Sequence, residues 1–286
     1  TWWWTELLPP EAVRPFRGLG FGAWLSLHLP LTLALARSLD AAGYRGPVLS
    51  APFPDVTGPV LERVGLAPTC GVGNVAELVP KLRHLAARSL GEAPGAVEVT
   101  LVAHHALLGA ALGRSERPEG PIPPHHLRIR ANGRDVTGRV DAEGLLLEPW
   151  PLPGGPAWGR LTAACSVRLA RAVLGPGRTR LHAPSPGGLP GGYPVLAGGG
   201  DVRPAPIEEL SLEEAVALNE RSHRFDGIEA IEEDGTVVLA DRVADAMREA
   251  LGFDCPRLAP DEAAERGREL SGRFRAYAER HGVSLP

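Results

Sequence analysis

The stretch GPVLSAPFPDVTGPVLERVGLAPTCGVGNVAELVPKLR, Gly46 to Arg83, decides how the chain is read. Pro47-Val48-Leu49 is an apolar run long enough only for a short buried strand. Pro52 and Pro54 then bar a regular helix and predict an extended turn through Asp55. Val56 to Val64 reads as a helix, since Val56, Val60, Leu61 and Val64 share one face and Gly65 ends it. A second turn, Thr69 to Asn74, leads into another helix ending near Arg83. Strand, Pro-Asp turn, helix, strand, Gly-rich turn and helix is the rhythm of a doubly wound α/β sheet, whose post-strand turns line a ligand crevice.

Composition bounds what surrounds this segment. With 286 residues, 44% hydrophobic and 22% charged, the chain can bury one large core or two modest ones. A net charge of −4 without a Lys/Arg-rich patch argues against nucleic acid as the main partner. No apolar run reaches membrane-spanning length, because Ser26, His28 and Pro30 interrupt Trp24 to Ala36. The three cysteines, Cys70, Cys165 and Cys255, are odd in number and far apart. They make neither a zinc spacing nor a disulfide framework, so no metal is expected and a reducing cytoplasm is. The chain starts at Thr1 without Met and its first residues lack the features of a signal peptide, so it is expected to begin partway through a domain.

Outward from the segment, Trp2 to Trp4 reads as strand core or as a packing face. Trp24 to Ala42 reads as a helix, and Val97 to Ala103 as a strand running into His104-His105. His125-His126, after a run of prolines, reads as loop, and Asn132-Gly133 as a type I′ hairpin turn. Leu161 to Leu174 is an expected helix with Ala163, Val167, Ala170 and Leu174 on its packing side. Pro184 to Tyr193 is a shaped Gly/Pro loop, in which Ser185 lacks the flanking glycines of a nucleophile elbow. Ser211 and Glu214 form a capping box for the next helix, Asp234-Gly235 a turn, and the remainder is helical.

This order of elements resembles the later part of the lactate/malate dehydrogenase superfamily of NAD(P)-dependent two-domain enzymes, with opine-dehydrogenase-type proteins as neighbours. Ser50 to Val56 stands where that family has its turn beside the nicotinamide, and Gly71-Val72-Gly73-Asn74, Glu77 and Arg83 resemble its Gly-rich turn and following helix. Val99 to His105 is similar to the strand that delivers the catalytic histidine. Ala163 to Leu174, Gly191 to Tyr193 and Leu210 to Ser222 resemble later elements of the same plan. The resemblance implies an incomplete Rossmann-type sheet over residues 1–92 and an α+β substrate or dimerisation domain over 93–286. It implies NAD or NADP contacts at Pro52, Asp55, Gly71 and Gly73, and substrate contacts at Asn74, Arg83 and Arg128. No Gly-x-Gly-x-x-Gly follows an N-terminal strand, so roughly seventy residues of the nucleotide-binding half are expected before Thr1, or lost.

The chemistry expected of such a site is hydride transfer to a small hydroxy- or amino-acid-type substrate. Imidazole titrates near neutrality, so His104 or His105 at the strand tip is the expected proton donor. Glu77 or Asp55 is the carboxylate to hold its tautomer, and Arg83, Arg128 or Arg130 the clamp for an acidic substrate. Adjacent strand residues face opposite sides, so only one of the two histidines enters a crevice. The alternative is a non-catalytic α/β binding or interaction protein that has lost its cofactor site; a homodimer is left open.

Overall fold

A computed structural model describes residues 2–113, 116–117, 120–152 and 158–285. In chain order its first elements are α1 (Pro10–Val13), α2 (Leu25–Ala41), β1 (Leu49–Ser50), α3 (Pro54–Arg63), β2 (Cys70–Gly71) and α4 (Val75–Leu90). Next come β3 (Val97–Ala103), α5 (Ala106–Ala111), β4 (His125–Ala131), β5 (Arg134–Asp135), α6 (Ala142–Leu146) and α7 (Gly159–Leu174). Then follow β6 (Thr179–Pro184), β7 (Gly192–Gly198), β8 (Asp201–Pro204) and α8 (Leu212–Ser222). The chain closes with β9 (Ile228–Ile231), β10 (Val237–Leu239), α9 (Asp241–Leu251), β11 (Arg257–Leu258) and α10 (Ala263–Arg280). The fold is mixed α/β.

Two compact units divide these elements. One comprises residues 1–45, 59–67 and 223–286, the other 46–58 and 68–222. The expected division after residue 92 therefore falls inside the second unit, where α4 and β3 belong together.

In the first unit, β9, β10 and β11 form an antiparallel sheet. Its core is aromatic: Trp24 meets Phe274 edge-on at 5.2 Å, and Phe16 meets Tyr277 at 5.5 Å. Trp4 lies in a 3-10 turn rather than a strand, stacked on Phe274 with the Arg275 guanidinium over its ring at 5.0 Å. The side chains of Trp2 and Trp3 lie outside the described residues. Pro30 inside α2 lacks the N–H that would bond the Ser26 carbonyl, and Gly267 of α10 packs against that carbonyl, where a Cβ would collide. No single described helix is long and apolar enough to cross a membrane, although α1 with its following turn and α2 pass the test jointly as a pair bent by 100°.

The second unit opens with β1 and β2, a parallel pair joining Leu49 with Cys70 and Ser50 with Gly71, together with the start of α3, whose residues 59–63 belong to the first unit. Its main sheet has six strands in the order β5-β4-β3-β7-β6, with β8 beside β7, and every pairing in it is antiparallel. Among the described residues, parallel pairing is confined to β1–β2. Helix α4 covers one face, burying Leu78, Leu82 and Ala86 against Val97, Val99 and Ile129. Lys81 on α4 is also buried, and its ammonium donates to the carbonyls of Ala111, Leu146 and Glu148 at 2.6–2.8 Å. Burial lowers this lysine to about 8.

Several local expectations hold and others need correcting. The Asn132-Gly133 turn has positive φ at both residues, 50° and 75°, as type I′ demands. Ser211 and Glu214 exchange the two hydrogen bonds of a capping box. Helix α3 begins at Pro54, two residues early, because proline's fixed φ suits a first turn. Helix α4 continues past Arg83 to Leu90, since Leu85 and Ala86 prolong the buried stripe, and Gly91 ends it in the left-handed conformation. His125 and His126 lie in β4 opposite Ala103 and Val102, not in a loop. On α7 the buried side chains are Leu169 and Val173, while Val167 and Leu174 are 59% and 75% exposed. Spacing along that helix offers two apolar stripes, and the buried one carries the Leu169/Val173 pair.

Candidate functional site

Two groups of side chains in the second unit hold the expected site residues, and they differ in character. The first is a corner built on Asp55. Its carboxylate is fully buried, accepting from the Asn74 side-chain amide and, at 2.8 Å, from the backbone N–H of His105. The backbone has been shaped for this meeting. Phe53, between its two prolines, has φ 46°, and Asn74, before α4, has φ 50° and ψ −116°. Such conformations are uncommon for residues with a Cβ and cluster where surrounding contacts over-determine them.

The Pro-Asp turn, the Gly-rich turn and the tip of β3 thus converge on one carboxylate, and Pro52, Asp55, Asn74, His104 and His105 come together. His104 is 1% exposed, and its Nδ1 accepts from the Ala106 N–H at 3.2 Å. The Phe53 ring lies edge-on to both imidazoles, 5.1 Å from His105 and 6.5 Å from His104. Beside the corner, the Tyr193 hydroxyl donates to Pro190 O at 2.6 Å and burial raises its phenol. Ser185 Oγ is buried with no hydrogen-bond partner among the described residues, packed where a Cβ on Gly58 would collide.

The glycines expected to face a cofactor are explained by internal packing. A Cβ at Gly71 would run into Pro54, and one at Gly73 would sit 2.7 Å from Glu77 Oε1. The Asp55 carboxylate is already engaged by the Asn74 amide and the His105 N–H. Glu77 is engaged elsewhere: its buried carboxylate accepts from the Trp158 indole at 3.1 Å and the Thr162 hydroxyl at 2.7 Å.

The second group surrounds a cavity of about 480 Å³. It exists because the large sheet forks. Strand β3 joins β7 through one pair only, Ala103 with Gly192, beyond which β7 continues alongside β6 and β8. Arg128 and Arg130 of β4, Arg180 of β6, Arg83 of α4 and Arg168 of α7 line the fork, with Glu98, Glu208 and Glu209 as its acids. Positions two apart on a strand share a face, which is how Arg128 and Arg130 arrive together. His182, two residues after Arg180, lines it too, its Nε2 accepting from the Leu101 N–H at 3.2 Å. Burial and the charges of Arg180, Arg83 and Arg168 push His182 down to about 3, so it stays neutral and can accept.

These arginines are not equivalent. Arg128 pairs with Asp135, Glu208 and Glu209, and Arg130 with Glu208. Arg83 and Arg168 have no ion pair or hydrogen bond among the described residues, and Arg83 Nε is buried without a partner. Burial first and then the Arg168 charge lower Arg83, with Glu98 opposing them. Arg83 remains a cation, since a guanidinium does not lose its proton in proteins. Cys165 also lines the cavity, but burial chiefly and Glu77 next raise its thiol to about 11, so it is not a thiolate nucleophile.

Of the expected substrate contacts, Arg83 and Arg128 lie in this cavity, whereas Asn74 lies in the Asp55 corner and none of the corner residues lines the cavity. Arg168, Arg180 and His182 were missed in the sequence. The alternation of Arg180 and His182 was the available signal, weakened by the glycines and prolines that flank β6. Among the described residues no cluster of three His, Cys, Asp or Glu side chains could hold a metal ion. No protein-family model matches the chain, and comparison with curated proteins gives no match.

Proposed function

We propose that this chain is a small-molecule-binding α/β protein whose ligand carries a carboxylate, seated in the fork between β3 and the β6–β7–β8 branch. The observation behind this reading is the pairing of two guanidinium groups, Arg83 and Arg168, that face a cavity without a counter-charge in bonding distance. Gathering like charges in a part-enclosed space is unfavourable in the free protein. An anion reverses the sign of that term, and a guanidinium grips a carboxylate through two parallel hydrogen bonds. The cavity also falls within the size of ordinary ligand pockets. Isothermal titration with benzoate and succinate tests the reading: saturable heat that weakens with salt is expected, and no heat from either rejects it.

A second reading, an NAD- or NADP-dependent oxidoreductase of the lactate/malate or opine type, has its own support. The parallel β1–α3–β2 step resembles one repeat of a Rossmann-type sheet, and the Pro-Asp turn, Asn74 and the histidine-bearing strand tip do converge. Against it stand the internally occupied glycines and the separation of the imidazoles from the arginine cavity. Enhanced NADH or NADPH fluorescence on mixing with the chain would favour it. Unchanged fluorescence with intact carboxylate binding would leave the binding protein alone.

A further inference from the structure

The fork exposes more than charge. In the β3–β4 ladder Val99 pairs with Ile129, whose N–H and C=O turn the other way, to Thr137 Oγ1 and to the Val136 N–H. Val99 and Ile129 are therefore a non-hydrogen-bonded pair, and the backbone polar groups of Val99 point to the edge that β4 does not cover. Leu101, two residues on, points the same way and has its N–H satisfied by the His182 ring in place of a strand. Ala103 is met by Gly192 of β7. Val99 lines the cavity, and neither its N–H nor its C=O has a partner among the described residues.

Resting on the carboxylate-binding reading, we propose that the ligand is an N-acyl amino acid, whose amide N–H donates to the Val99 carbonyl on the β3 edge while its carboxylate accepts from the Val99 N–H and meets Arg83 and Arg168. The amide N–H and one carboxylate oxygen of an N-acyl amino acid flank a single Cα and can point the same way, as a strand residue's N–H and C=O do, so they supply a donor for the Val99 C=O and an acceptor for its N–H. The carboxylate that follows an N-acylated amine supplies the charge that the two guanidinium groups lack. Val79, Leu169 and Ile207 in the cavity wall provide apolar surface for the acyl group. A plain carboxylate meets the charge requirement and leaves the Val99 C=O without a donor.

Isothermal titration of the full chain with hippurate, its ester isostere O-benzoylglycolate and benzoate separates the two layers of the argument. Hippurate is expected to bind about tenfold more tightly than the ester, in which an oxygen replaces the N–H and faces the Val99 carbonyl without a proton. Equal affinities for amide and ester overturn the edge pairing and leave the carboxylate site standing. Absence of heat with all three overturns both. The exchange rate of the Val99 amide proton gives an independent readout: slowing under saturating hippurate is expected, and an unchanged rate overturns the pairing.

Discussion

The Asp55 corner and the forked cavity both concentrate charge and polarity in one unit, yet they solve opposite problems. In the corner a single carboxylate meets two donors, Asn74 and the His105 N–H, and is sealed from water. In the cavity, cations outnumber acids, and two of them, the half-buried Arg83 and the exposed Arg168, have no counter-ion in bonding distance among the described residues. A buried charge whose partners come from its own chain fixes geometry; charge assembled without partners is set for something else to complete. On the proposed reading the corner is scaffold and the fork is where the ligand is recognised. This reverses the weight that sequence alone placed on the Pro-Asp and Gly-rich turns.

The largest expected effect belongs to the corner. Asp55→Ala leaves a buried amide and a backbone N–H unpaired and should cost about 3 kcal/mol in urea unfolding. A loss within measurement error would mean the corner does not hold the turns together.

Acid should come next, through the cavity. His182 is held near 3 in the fold and has a reference value of 6.5, so between those values the unfolded state binds the extra proton and stability falls with falling pH. One proton contributes a slope of about 1.4 kcal/mol per pH unit, to be read as the difference between the wild type and His182→Asn across that window. Superimposable profiles would mean that neither burial nor the arginines hold His182 down. The same logic predicts that a bound carboxylate raises the His182 value, visible as proton uptake on binding near the titration.

Within the cavity, Arg83→Ala should weaken benzoate binding about tenfold and leave stability nearly unchanged or slightly higher, because it relieves repulsion from Arg168. Arg128→Ala should matter least, about threefold, since Asp135, Glu208 and Glu209 already neutralise that side chain. Calorimetric titration ranks the two variants. An inverted order would mean that pairing within the chain does not predict which arginines bind.

Sequence reading reached the corner because its turns are written in local chemistry. Prolines at 52 and 54 fix the backbone on either side of Phe53, and Gly73-Asn74 announces a positive-φ turn. The β3 strand and the 132–133 hairpin carried equally local signals. The fork was not legible, because it depends on where β7 leaves β3 after a single residue pair, and no spacing in the sequence encodes that divergence. The sequence singles out Arg83, Arg128 and Arg130 as clamps but not Arg168 and Arg180, distant along the chain; only the tertiary fold brings all five to one cavity. Likewise Glu77 was matched to a histidine, whereas its partners come from Trp158 and Thr162, more than eighty residues on.

The most direct test is the urea unfolding midpoint of the wild type and of the Arg83→Ala/Arg168→Ala double variant, each with and without saturating hippurate. The account predicts that the ligand raises the wild-type midpoint and leaves that of the double variant where it was. An equal rise in both would contradict it, because the ligand would then be held by something other than the two unpaired guanidinium groups.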